Sequence, residues 1–187
     1  MRRLRIDREY PLKPDSSGND RAGLQRLAME LAAGERPGGE LLRITVTGVS
    51  MLPTLRPGDI ILVQPGPSPD LKPGALATFL TDAGPVTHRI VGVDGEVLIA
   101  KGDNARRLDP RIPASRIIGR VVAGIRVGVE RSFRTGARTA LTARLSYLEG
   151  RISERFDPSH SASFTFKLVV FPLRLLVAIS AYLGLPR

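Results

Sequence analysis

Ser50, His88 and a pair of aspartates are the residues of this chain whose types and settings suit hydrolytic chemistry. Ser50 lies in Gly48-Val49-Ser50-Met51-Leu52-Pro53-Thr54-Leu55, a tight turn between the β-prone Thr45-Val46-Thr47 and the apolar run Ile60-Ile61-Leu62-Val63. A hydroxyl held on a rigid bend can be aimed at a substrate carbonyl, but it needs a neighbouring base to take its proton. The chain has two histidines. His88 sits in the alternating segment Val86-Thr87-His88-Arg89-Ile90-Val91, where a strand would fix the ring, and imidazole titrates near neutrality. His160 lies in a polar linker that offers nothing to orient it. An orienting carboxylate is the third need. The segment Lys101-Gly102-Asp103-Asn104-Ala105-Arg106-Arg107-Leu108-Asp109-Pro110 supplies two, on a loop marked by glycine, asparagine and proline. Asp103 reads as the residue that caps the turn. Asp109 reads as the orienting acid, against a plain surface pairing with Arg106, Arg107 or Arg111.

Other chemistries find little material. Lys72 and Lys101 each fall at a proline- or glycine-marked turn and are expected to be exposed, with no desolvation to make either a base. With no cysteine and two widely separated histidines, a structural zinc site is not indicated. No phosphate-cradling glycine motif occurs, so no cofactor and no metal is expected.

Taken together, GVSMLPTL with RPGD, then THRIVG, then KGDN with a second aspartate six residues on, resemble the signal peptidase I family of S24/S26-type serine peptidases. The resemblance covers residues 41–127, about half the chain, with the motifs in the family's order. Bacterial members usually carry a lysine base where this chain has His88-Arg89, which is similar to the serine-histidine branch. The resemblance implies Ser50 as nucleophile, His88 as general base and Asp109 as orienting acid. Asp103, Met51, Pro53 and Gly48 support the site. It also implies a protein or peptide substrate bound in extended form, with small residues flanking the scissile bond. Two features depart from the family. Many members have an oxyanion-holding serine where this chain has Gly48, which leaves the Ser50 N–H as one donor and Thr47 as a guess for the second. The family's N-terminal membrane anchor has no counterpart in residues 1–40.

The elements expected to position these residues are short β segments at 41–47, 59–64, 75–80, 86–93, 96–100 and 117–127. At this spacing, with no helical pattern between them, they argue for a mainly β fold, a small barrel or sandwich. Three parts follow: a polar N-terminal extension, residues 1–40, with one amphipathic helix from about Asp20; a catalytic β domain, 41–127; and a basic helical extension, 128–187. In the last, Ala140, Leu141, Leu145 and Leu148 fit a helical stripe. Residues 168–185 are strongly apolar but interrupted by Pro172 and Arg174, and barely reach the roughly twenty residues of a membrane span.

The 28 Lys and Arg against 18 Asp and Glu give a net charge of +10, which favours anionic partners. Without tryptophan and with few aromatics there is no stacking platform, so nucleic acid is not indicated. A membrane surface is the partner that fits a basic flank beside an apolar segment. If residues 168–185 span, the flank argues for the β domain on the cytoplasmic face, opposite to where a signal peptidase works, and the side is left open. The expected function is a serine endopeptidase. The alternatives are a LexA-like self-cleaving regulator, which would need a helix-turn-helix for which 1–40 leaves little room, and an inactive membrane-associated binding module.

Overall fold

The apolar and β-branched runs pair into a single antiparallel sheet. The structure, a computed structural model, describes residues 41–66, 71–155, 172, 175–177 and 179. The expected N-terminal helix, His160 and most of the apolar 168–185 segment lie outside these. No helix among the described residues is long and apolar enough to cross a membrane.

The strands are β1 (Leu42–Thr45), β2 (Ile60–Pro65), β3 (Leu76–Thr81), β4 (Gly84–Asp94), β5 (Val97–Lys101), β6 (Ile112–Pro113), β7 (Ile117–Arg126) and β8 (Val129–Ser132). An α-helix, α1 (Ala137–Arg155), follows them, and a three-residue 3-10 helix (Ala114–Arg116) leads into β7. The chain is mainly β, as expected, and the sheet does not close. Its order runs β1-β2-β7-β3-β4-β5-β6. β7 joins the two halves: one edge pairs with β2, while the other is shared between β3 near its start and β8 near its end.

Two apolar clusters fill the halves. One gathers Leu42, Ile61, Val63, Leu76, Ile118 and Val121 with Met51 and Leu55 from the serine turn. The other gathers Ala77, Phe79, Ile90, Leu98, Ala100, Ile112 and Ile117. Burying Met51 and Leu55 fixes the turn on both sides of Thr54 to the first core, each side chain contributing about 1.5–3 kcal/mol of transfer free energy.

Helix α1 departs from the expected stripe. Leu141 and Leu148 are about half exposed, and the buried face carries Thr142, Ala143, Ser146, Glu149, Gly150 and Ser153. The helix also passes close to the sheet. At Gly74 (φ +102°) a Cβ would stand 2.7 Å from the Thr139 carbonyl carbon, so only glycine lets the helix come this close.

Candidate active site

Ser50 is held by turn hydrogen bonds and by its anchored neighbours. Leu52 N–H donates to Val49 O (3.2 Å) and Leu55 N–H to Met51 O (2.9 Å), with a cis peptide between Leu52 and Pro53. The 102–104 loop supports the turn from outside: Asn104 N–H donates to Ser50 O (2.7 Å), and Asn104 Nδ2 to Val49 O (3.2 Å). Beyond the turn, Asp59 fixes the Arg-Pro-Gly-Asp bend. Arg56 N–H donates to its Oδ2 (2.8 Å), and Arg126 donates to both carboxylate oxygens at 2.8 and 2.6 Å. Burial alone would raise the Asp59 carboxyl. The hydrogen bonds from Arg126 and Arg56 and the charges of both guanidiniums outweigh it and hold the carboxyl below its ordinary value. The same pairing raises Arg126 against the effect of its own burial.

His88 lies on β4, buried, opposite Ala77 of β3, with Phe79 edge-on to its ring at 6.0 Å between centroids. Its Nε2 stands 2.9 Å from Ser50 Oγ and its Nδ1 2.7 Å from Asp109 Oδ2. The tautomer carrying its proton on Nδ1 makes both bonds: Nδ1–H donates to the carboxylate, and the serine hydroxyl donates to Nε2. Asp109 closes its loop back onto β5 through its N–H to Ala100 O (2.9 Å). Arg111, one alternative partner for Asp109, pairs with Asp94 instead, and Arg106 and Arg107 are exposed.

Successive strand residues point to opposite faces. Arg89 therefore faces away from His88, and it ties together the same two loops. Its Nε and Nη2 donate to Asp103 Oδ1 and Oδ2, both at 2.8 Å, its Nη1 to Gly74 O (3.0 Å), and its Nη2 to Thr54 Oγ1 (3.3 Å). Thr54 in turn donates to Asp103 Oδ2 at 2.5 Å. The charges are buried but paired and hydrogen-bonded, the condition under which such groups persist in an interior. Sequence reasoning did not find Arg89 and Thr54. The available signal was their place inside the THR and serine boxes.

Met51 is buried in the first core and Pro53 is half-buried in the turn. Gly48 and Thr47 are exposed, and a Cβ at Gly48 would meet nothing within 4 Å. Lys72 is exposed, as expected. Lys101 is not. It ends β5 fully buried, with Nζ 2.7 Å from Glu149 Oε2 of α1. The expectation failed because the covering carboxylate lies 48 residues away in the sequence.

A family model described as Peptidase S24-like matches residues 16–122, more than half of the chain. The chain belongs to the Peptidase S24-like family. No curated protein and no solved structure matches it. The Peptidase S24-like match contains Ser50, His88, Asp103 and Asp109 and ends within β7, so β8 and α1 lie beyond it. Membership in the Peptidase S24-like family supports a peptidase or a related self-cleaving activity.

Proposed function

We propose that the protein is a serine endopeptidase resembling signal peptidase I, which cuts an extended precursor or signal-like peptide through Ser50, His88 and Asp109. One observation carries this reading: an unbroken hydrogen-bonded path Ser50 Oγ–His88 Nε2 and His88 Nδ1–Asp109 Oδ2, assembled from a turn, a strand and a loop. In the proposed reaction Ser50 Oγ attacks the scissile carbonyl carbon as its proton passes to His88 Nε2. The Ser50 N–H donates to the developing oxyanion. The C–N bond then breaks, and His88 returns the proton to the leaving amine. Water attacks the acyl-serine by the same proton path in reverse, while Asp109 holds the ring and offsets its transient charge. The exposed Thr47, Gly48 and Val49 beside Ser50 suit a substrate laid down by strand addition. The exposed Leu175, Leu176 and Ile179 support attachment at a membrane surface.

Turnover of fluorogenic peptides with small residues around the scissile bond tests the assignment. Ser50→Ala and His88→Ala should each lower kcat by about 10⁴-fold or more with an unchanged thermal melt, and full turnover by either variant rules it out. The family match also supports self-cleavage. Cutting of the chain itself, first-order and independent of protein concentration, with no turnover of added peptide, would favour the LexA-like regulator.

A further inference from the structure

The Lys101–Glu149 pair and the contact of Leu108 with Gly150 have no part in the chemistry above, yet both join α1 to the loop that carries Asp109. Lys101 begins this loop and Leu108 directly precedes Asp109. Glu149 Oε2 accepts from Lys101 Nζ at 2.7 Å, with both side chains shut off from solvent. The same Nζ lies 3.4 Å from Gly102 O. One residue on, α1 passes so close that a Cβ at Gly150 would stand 2.7 Å from Leu108 Cδ2, 2.8 Å from its Cγ and 3.5 Å from Lys101 Cδ. A single turn of helix thus grips both ends of the loop.

The other side of that loop is the wall of the site. A Cβ at Gly102 would stand 2.7 Å from Ser50 O, 3.0 Å from His88 Nε2 and 3.1 Å from Ser50 Cβ. Asn104 N–H donates to Ser50 O, and Asp109 Oδ2 meets His88 Nδ1. Any shift of the loop relative to β4 and β5 therefore moves the orienting carboxylate and the serine's support together. A buried ion pair is a weak device for stability, since desolvating both charges offsets their attraction. Its geometry is demanding, however, and a short bond between wholly buried partners fixes position. Glycine inside a helix is likewise unfavourable for the helix itself. At residue 150 it is what the close approach to Leu108 requires.

We propose that Glu149 and Gly150 of α1 are positioning residues, which set the 102–109 loop through Lys101 and Leu108 and so place Asp109 against His88. This rests on the serine-histidine-aspartate reading above and extends the catalytic unit to a helix that the family match does not include.

The test is a set of variants of the full chain: Gly150→Ala, Leu108→Ala, the two combined, and Glu149→Gln. If the helix only stabilises the fold, Gly150→Ala should leave kcat intact or lower it only in proportion to unfolded protein. If it positions the loop, Gly150→Ala should stay folded by circular dichroism. Its kcat should fall about 10²-fold with KM within about twofold, as expected of a displacement of order 1 Å. Adding Leu108→Ala, which empties the space the new methyl enters, should recover most of the loss. Glu149→Gln, which keeps the side-chain shape but removes the charge, should show the same split between kcat and KM. Should Gly150→Ala fail to fold, Glu149→Gln decides. Wild-type kcat in folded Glu149→Gln and Gly150→Ala, or a Gly150→Ala loss that Leu108→Ala does not relieve, overturns the proposal. Ser50→Ala separates the two failures. An active Ser50→Ala removes the functional reading itself, whereas an inactive one beside fully active helix variants removes only the inference.

Discussion

Asp109 is one-fifth exposed at its side chain, and its Oδ2 meets His88 Nδ1 at 2.7 Å. Its proposed role is to fix which imidazole nitrogen carries the proton. Asn in its place keeps the shape but can present an amide N–H to Nδ1 and favour the opposite tautomer, with Nε2–H facing Ser50. Asp109→Asn should therefore lower kcat by about 10³- to 10⁴-fold with little change in KM or in melting temperature. Wild-type kcat in this variant would count against an orienting role. Ser50, His88 and Asp109 could be picked out of the sequence because each stands in a short string whose turn or strand character is local. Arg89, Thr54, Lys101 and Glu149 were not legible in this way. Their roles depend on partners 14 to 49 positions away, which only the folded sheet brings into reach.

Among the elements, the six longer or better-patterned strands followed from alternation and turn residues. β6, two residues long, and β8, largely exposed, carry too little apolar signal to be read. Helix α1 was legible as a helix but not in its facing, because its buried face is made of small and polar residues, with Glu149 answering the buried Lys101, instead of an apolar stripe. Two element-level predictions follow from the charge pairs. Removing Arg89 as Arg89→Met strands Asp103 in a fully buried site, and urea unfolding should show a loss of about 3–5 kcal/mol. Adding Asp103→Leu should return much of it, since no charge is then left uncompensated. Asp59, whose folded carboxyl lies below its ordinary value of 3.8, stabilises the bend only while ionised. Its contribution is complete above that value and is lost as pH falls through the lower folded value. Wild type should exceed Asp59→Asn by about 2 kcal/mol at pH 5 to 7, with the gap closing below about pH 4. A gap independent of pH would contradict the pairing with Arg126.

At the scale of the whole molecule, the mainly β class and the order of motifs were readable because pattern and turn chemistry act locally. The path of β7 between the two halves and the seating of α1 were not, since both arise from long-range pairing. The adjacent placement of His88 and Arg89 has a consequence for how the protein comes apart. One dipeptide places the His88 ring on one face and, on the other, a guanidinium that donates four hydrogen bonds to three residues, so neither loop can loosen without exposing buried charge. The site has no soft edge of its own, unlike the mobile loops on which binding groups often lie. Amide protons of Asn104 and Asp109, both donors to backbone carbonyls, should exchange with solvent as slowly as those of central β4. Serine-probe reactivity and far-ultraviolet ellipticity should disappear along one common denaturation curve. A loss of reactivity well before the ellipticity would show a separately melting site. Otherwise, reactivity toward the probe is a direct measure of the fraction folded.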